Sequence, residues 1–199
     1  MVVVLAVLVE LAWPPLLRFD ESVDTAIHGW ALRTPWAVRV ALLLQTAGLL
    51  VVSAWVVLAT AVVLLVARRW SWALTVVVVA VLAPWITSLI KPVVGRARPV
   101  WEQALGSEAS LSYPSGHATA GIAVYAMCGL ALAGLVRTRA AAVTVAVVFG
   151  AFGVATGISR LVLGVHWPSD VVGGFGVATA VAAAVVALLV PPSGSARHD

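Results

Sequence analysis

Twenty consecutive residues without a charge, VVGGFGVATAVAAAVVALLV (171–190), match the roughly 20 residues a helix needs to cross the hydrocarbon core of a bilayer. They belong to a set. Apolar stretches at 2–17, 38–67, 70–90, 116–136, 140–158 and 168–190 predict an all-α integral membrane bundle of six transmembrane helices, one domain over residues 1–199. Only 10% of the residues are charged, against about 25% in a soluble domain. A chain so poor in polar surface does not fold in water on its own. The net charge of +4 gathers at segment ends. There it reads as topology and site residues and argues against a nucleic-acid partner. The single cysteine, Cys128, lies in an apolar run, where it can form neither an internal disulfide nor a Cys-type metal site.

The first stretch is the weakest. It contains Glu10, stops at Pro14-Pro15 and lacks the basic start and cleavage site of a signal peptide. It reads as a short retained helix, with the start of translation left open. Pro84 predicts a kink in the third span. Gly153 and Gly157 predict close helix packing in the fifth, as do Gly173, Gly174 and Gly176 in the sixth. Between the first two spans, Val23, Ile27, Trp30 and Ala31 recur at helical spacing and predict an amphipathic helix lying on the membrane surface. His28 on that helix reads as a surface residue. The tail PPSGSARHD reads as disordered.

Loop charge sets the orientation. Arg68, Arg69, Arg137, Arg139 and Arg197 share one face; Arg18, Arg33, Arg39, Lys91, Arg96, Arg98 and Arg160 share the other. Four of the second group cluster in polar motifs suited to an anion. The other three lie near Asp20, Glu21 and Asp24. Discounting them leaves the compact Arg turns as the cytoplasmic mark. Both termini then lie in the cytoplasm and the polar loops outside it.

Six spans bring three distant stretches to one face: KPVVGRARP (91–99), YPSGH (113–117) and SRLVLGVHWPSD (159–170). Each suits a phosphate. Lys91, Arg98 and Arg160 are fixed cations, and an arginine fork matches phosphate oxygens. Ser115 and Gly116 stand where a helix begins, a place that receives anions, and Gly116 allows close backbone approach. His117 follows in the first turn. His166 precedes Trp167-Pro168, and Asp170 lies four residues on, a spacing that lets the carboxylate hold one imidazole nitrogen. Singly, each residue has a plain structural use: Lys and Arg snorkel, Ser115 caps a helix, and Asp170 answers a helix dipole. Three cations, two histidines and an aspartate on one face exceed such uses. Arg96, Trp101, Glu102 and Glu108 are read as lying outside the chemistry.

With these residues in view, the sequence resembles the type 2 phosphatidic acid phosphatase family of membrane lipid phosphatases. Its three-part signature is matched by Lys91 to Arg98-Pro99, by Pro114 to His117, and by Ser159-Arg160 with His166 and Asp170. The resemblance implies a metal-independent phosphatase without cofactor that acts through a phosphohistidine. His166 would attack phosphorus, Asp170 would orient it, and His117 would serve the leaving oxygen and then water. Lys91, Arg98, Ser115, Gly116 and Arg160 would hold the phosphate. It implies a membrane lipid substrate, undecaprenyl diphosphate first, with phosphatidylglycerol phosphate and phosphatidic acid as alternatives, and an outward-facing site in the cell membrane. Vanadium-dependent haloperoxidases share the motifs but are soluble and larger. A non-catalytic headgroup-binding or transport protein is the reading from another class, and it needs neither the His166–Asp170 pair nor His117. The sequence says nothing of oligomeric state.

Overall fold

The computed structural model describes residues 2–190; the tail read as disordered, with Arg197, lies outside them. The protein is helical, with no strand among the described residues. The elements are α1 (Val2–Glu10), α2 (Pro14–Leu32), α3 (Pro35–Ala47), α4 (Leu50–Val66), α5 (Trp70–Val94), α6 (Gly116–Ala133), α7 (Arg139–Val162) and α8 (Pro168–Leu189). Four helices, α5 to α8, are each long and apolar enough to cross a membrane, and two bent pairs raise the number to six if each counts as one span. The chain is a multi-pass membrane protein.

Helix α6 is the central post: most of it is buried, whereas most of α7 is not. Leu64, Val76, Tyr125 and Cys128 join it to α4 and α5. Val79, Ala123, Met127 and Ala178 join it to α5 and α8. Its middle, Gly121–Ala126, is wound as a π-helix, a form found most often as a local bulge within a longer helix. There Gly121 meets Gly153 so closely that a Cβ on either would strike the other's carbonyl, as the glycines of the fifth span predict. Pro84 sits inside α5, which continues past it to Val94.

The two bent pairs depart from the sequence reading. The stretch 2–17 is divided: α1 ends at Glu10, and α2 leaves at 96° to it. Nine residues of α1 fall well short of the roughly 20 that a crossing needs. The Tyr113 hydroxyl donates to the Val2 carbonyl at 3.1 Å, so α1 starts beside the loops that carry the site motifs. Helix α2 covers the stretch expected to form an amphipathic helix, extended at its N-terminus, but it is rotated so that polar residues point inward. Its buried residues are Asp20, Asp24, His28 and Ala31, while Trp30 is exposed. His28 is therefore not a surface residue; it stacks on Trp101 with ring centroids 4.1 Å apart. The stretch 38–67 is likewise divided, with a 60° bend between α3 and α4. The Ala47 carbonyl at the bend receives the Tyr125 hydroxyl at 2.7 Å and Ser53 Oγ at 3.3 Å, so the break leaves that acceptor satisfied.

Candidate active site

Three elements deliver the site. Helix α5 carries Lys91 in its last turn, and the irregular segment 95–115 follows it. Ser115 caps α6, accepting from Ala118 N at 3.4 Å. Helix α7 ends with Arg160 in its last turn, and α8 begins at Pro168 with Asp170 in its first turn. The α6 and α8 starts are joined directly, since Ser115 N donates to the Asp170 carbonyl at 3.0 Å. Thr119 of α6 pairs with Thr87 of α5 at 3.0 Å.

His166 and Asp170 meet as their spacing predicts, Nδ1 to Oδ2 at 3.3 Å. On the other side of the ring, Arg98 Nη1 stands 3.0 Å from Nε2. A guanidinium has no acceptor, so Nε2 carries a lone pair and the imidazole proton lies on Nδ1, toward Asp170. Burial pushes the His166 imidazole down to about 4, helped by the Arg98 and Lys91 charges and opposed by Asp170. The ring is therefore neutral at ordinary pH, with its free nitrogen turned toward the cations. Asp170 is wholly buried. Its carboxylate also accepts from Ser112 Oγ at 2.5 Å, Trp167 N at 2.9 Å and Arg96 Nη1 at 2.7 Å.

Arg98 is fixed by donation to the carbonyls of Ser110, at 2.6 Å, and Val165, at 2.5 Å. Lys91 Nζ donates to the Leu111 carbonyl at 2.5 Å. Arg160 is fully buried and forks to Gln45 Oε1 at 2.6 Å and Glu108 Oε1 at 2.7 Å. The same Glu108 oxygen lies 4.0 Å from His117 Nδ1. His117 packs on Gly48 at the α3–α4 bend, where a Cβ would overlap its ring. Beside Gly116 a Cβ would meet nothing within 4 Å, so the backbone there faces open space. A cleft of about 280 Å³ opens between Arg98, Glu108, Ser110 and Leu111.

The structure thus brings all eight expected residues to one end of the bundle. His166, Asp170, Arg98 and Lys91 form one half, and Arg160 and His117 the other. Ser115 and Gly116 lie at the start of α6 beside His117. Two residues read as lying outside the chemistry belong to these networks: Arg96 on Asp170 and Glu108 on Arg160. The signal for Arg96 was its spacing of two from Arg98, which places both side chains on one face of an extended segment. Trp101 is structural, donating to the Gly164 carbonyl at 3.0 Å, and Glu102 is exposed. No group of three or more His, Cys, Asp or Glu among the described residues is arranged to hold a metal ion.

The family model described as PAP2 superfamily matches residues 72–191, the span that holds every motif residue. No curated protein matches the chain. Among solved structures, the chain is similar to the first transmembrane PAP2 type phosphatidylglycerolphosphate phosphatase from Bacillus subtilis. The two share 24% sequence identity over 94% of this chain and 93% of that chain, with a TM-score of 0.82. At that identity the likeness concerns the fold, and it agrees with the helical membrane bundle described above.

Proposed function

Because the chain belongs to the PAP2 superfamily, the type 2 phosphatidic acid phosphatase family, we propose that it is a single-domain, metal-independent lipid phosphatase working through a phosphohistidine at the outer face of the cell membrane. The observation that carries this reading is the state of His166. Its Nε2 lone pair points at Arg98, and its Nδ1–H points at a buried carboxylate.

The proposed reaction has two displacements. A substrate phosphate enters among Lys91, Arg98, Arg160, the Ser115 side chain and the Gly116 N–H, where charge on the equatorial oxygens is stabilised. It takes the Arg98 and Arg160 donors that His166 and Glu108 hold in the free protein. The His166 lone pair then attacks phosphorus while the P–O bond to the lipid breaks, and His117 gives its proton to the departing oxygen. Asp170 stabilises the positive charge that develops on the ring, as in a triad. In the second step His117 takes a proton from water, the new P–O bond forms, the N–P bond breaks and phosphate leaves. His117 takes up a proton when the negative charge of the substrate comes beside it, and the proton it gives to the lipid oxygen in the first step is replaced by the one it takes from water in the second.

Apolar grooves support a lipid substrate. One, of about 300 Å³ between α4 and α5, starts at Leu50 and is lined by Val57, Leu58, Val81 and Val124. Leu50 is two residues from Gly48, which touches His117. A chain seated there stays in hydrocarbon while its headgroup reaches the cations. We propose undecaprenyl diphosphate as the substrate. Phosphatidylglycerol phosphate is the second reading, favoured by the fold likeness to a protein described as acting on it. Purified protein is tested for phosphate release from these two lipids and phosphatidic acid, with and without chelator, beside His166→Ala. Turnover should be chelator-insensitive, highest in kcat/KM on undecaprenyl diphosphate and absent in the variant. A higher kcat/KM on phosphatidylglycerol phosphate moves the substrate. Equal release from wild type and His166→Ala refutes the enzyme reading and leaves headgroup binding.

A further inference from the structure

We propose that Asp20 and Arg96 form a buried brace that fixes the orientation of Asp170 and the net charge it presents to His166, which makes helix α2 part of the catalytic apparatus. The proposal rests on the lipid phosphatase reading. Arg96 lies within the first motif but at none of its fixed positions, and Asp20 lies outside the 72–191 match.

The geometry is that of a divided fork. Arg96 Nη2 donates to Asp20 Oδ2 at 2.7 Å, and Nη1 donates to Asp170 Oδ1 at 2.7 Å. The guanidinium is 8% exposed and the carboxylates are 1% and 0% exposed. It also stands over the Trp167 ring, 5.4 Å from its centroid. Most ion pairs set one cation against one anion. Here one cation is shared by two buried carboxylates, so the charge it offers Asp170 depends on what Asp20 draws from it.

Asp20 has a second grip. Its Oδ1 accepts from Ser169 N at 2.9 Å and its Oδ2 from Ser169 Oγ at 2.5 Å. Ser169 precedes Asp170 in the first turn of α8, and the cap residue Trp167 offers no side-chain oxygen there. Orphan N–H groups at a helix start need acceptors, and a carboxylate suits the positive end of the dipole. Asp20 supplies that acceptor from another helix. It therefore holds α8 at the turn that carries Asp170, four residues after His166. Helix α2 is thereby locked to the turn that follows the nucleophile.

The charges around the pair are these. Asp170 from α8, Arg98 from the 95–115 segment and Lys91 from α5 act on His166. Asp170 is faced by Arg96 and His166. Asp24, Asp20 and Tyr113 complete the surroundings from α2 and the loop before α6. Within this set, loss of Arg96 removes the one cation bonded to Asp170 and leaves only the more distant Lys91 and Arg98 charges, so Asp170 pulls harder on the Nδ1 proton and favours imidazolium. Loss of the Asp20 charge does the reverse, because Arg96 then serves Asp170 alone.

Four variants, Arg96→Gln, Arg96→Lys, Asp20→Asn and the double Asp20→Asn/Arg96→Gln, are assayed for kcat and KM against pH beside wild type and His166→Ala. Arg96→Gln should lower kcat by about 10²-fold and raise the acid limb of kcat/KM by about one pH unit, with KM little changed. Asp20→Asn should not raise that limb. The double variant should recover activity relative to Arg96→Gln, since no unpaired carboxylate remains beside Asp170. Arg96→Lys keeps the charge but not the fork, so its limb should stay at the wild-type position while kcat falls. If Arg96→Gln does not fold, Arg96→Lys and Asp20→Asn carry the test. Losses without these limb positions, or losses in KM alone, overturn the brace. Absence of turnover in wild type, or full activity in His166→Ala, overturns the phosphatase reading instead.

Discussion

Gly48→Ala isolates one contact in the proposed mechanism. The residue has φ −78° and ψ −4°, a conformation alanine adopts freely. Backbone considerations alone predict a gain of about 0.4–1 kcal/mol from the stiffer unfolded chain. The side chain has nowhere to go. A Cβ would lie 3.0 Å from His117 Cγ and 3.1 Å from Nε2, and closer still to Cδ2. To restore ordinary contact the ring must retreat by about 1 Å, and a misplacement of that size costs about 10²-fold in rate. That figure falls within the roughly 10²–10⁴-fold that a general acid–base contributes. The assay is single-turnover phosphate transfer from a lipid phosphate monoester, with melting in detergent as the control for folding. Gly48→Ala should lose about 10²-fold in rate, with a loss of stability no larger than the roughly 1–3 kcal/mol of a local overpacking and a protein that still melts cooperatively. In a His117→Ala background it should cost nothing more, because the ring it strikes is gone. Multiplicative losses in the double variant would refute the contact as the cause.

Three further outcomes follow from the same geometry. Asp24 is buried on α2 with both carboxylate oxygens unpartnered, and burial pushes its carboxyl up to about 7. The unfolded chain releases this proton near 3.8 and the folded chain near 7, so this group erodes stability as pH rises between those values; the melting gain of Asp24→Asn over wild type should grow from pH 4 to 7 and then level, and a pH-independent difference contradicts the assignment. His117→Ala should slow phosphatidic acid hydrolysis more than lipid diphosphate hydrolysis at the bond-forming step, since an alkoxide needs the proton more than a phosphate oxygen does; equal losses would remove His117 as the leaving-group acid. In a Cys128→Ser background, Gln103→Cys should react with an impermeant thiol reagent outside intact cells and Ala140→Cys should not; the reverse pattern would put the site in the cytoplasm.

The motif residues were legible because their chemistry conflicts with their surroundings. Arg160 and Asp170 are charges at the ends of apolar helices, and an intramembrane charge calls for a partner. The inner face of α2 was not legible, because periodicity alone assumes that apolar residues point at protein. In a membrane protein an apolar face need not point at protein, and here Asp20, Asp24 and His28 turn inward to a polar site. The bend at Gly48 was hidden for a related reason. The stretch 38–67 is apolar on both sides of it, and hydropathy carries no mark of direction. Only the packing of His117 on Gly48 explains why that residue has no side chain. Arg96 was overlooked because Arg98 beside it already met the motif, whereas its own partner, Asp20, lies 76 residues away.

The central claim is that phosphorus passes through a covalent bond to His166 Nε2. Rapid quenching of the purified protein with a lipid labelled in its terminal phosphate tests it directly, with His117→Ala included because slower hydrolysis of the intermediate should let it build up. The account predicts label bound to protein through an acid-labile, base-stable bond, mapped to His166 and absent from His166→Ala. Phosphate release at the wild-type rate with no protein-bound label at any time, in either wild type or His117→Ala, would contradict it.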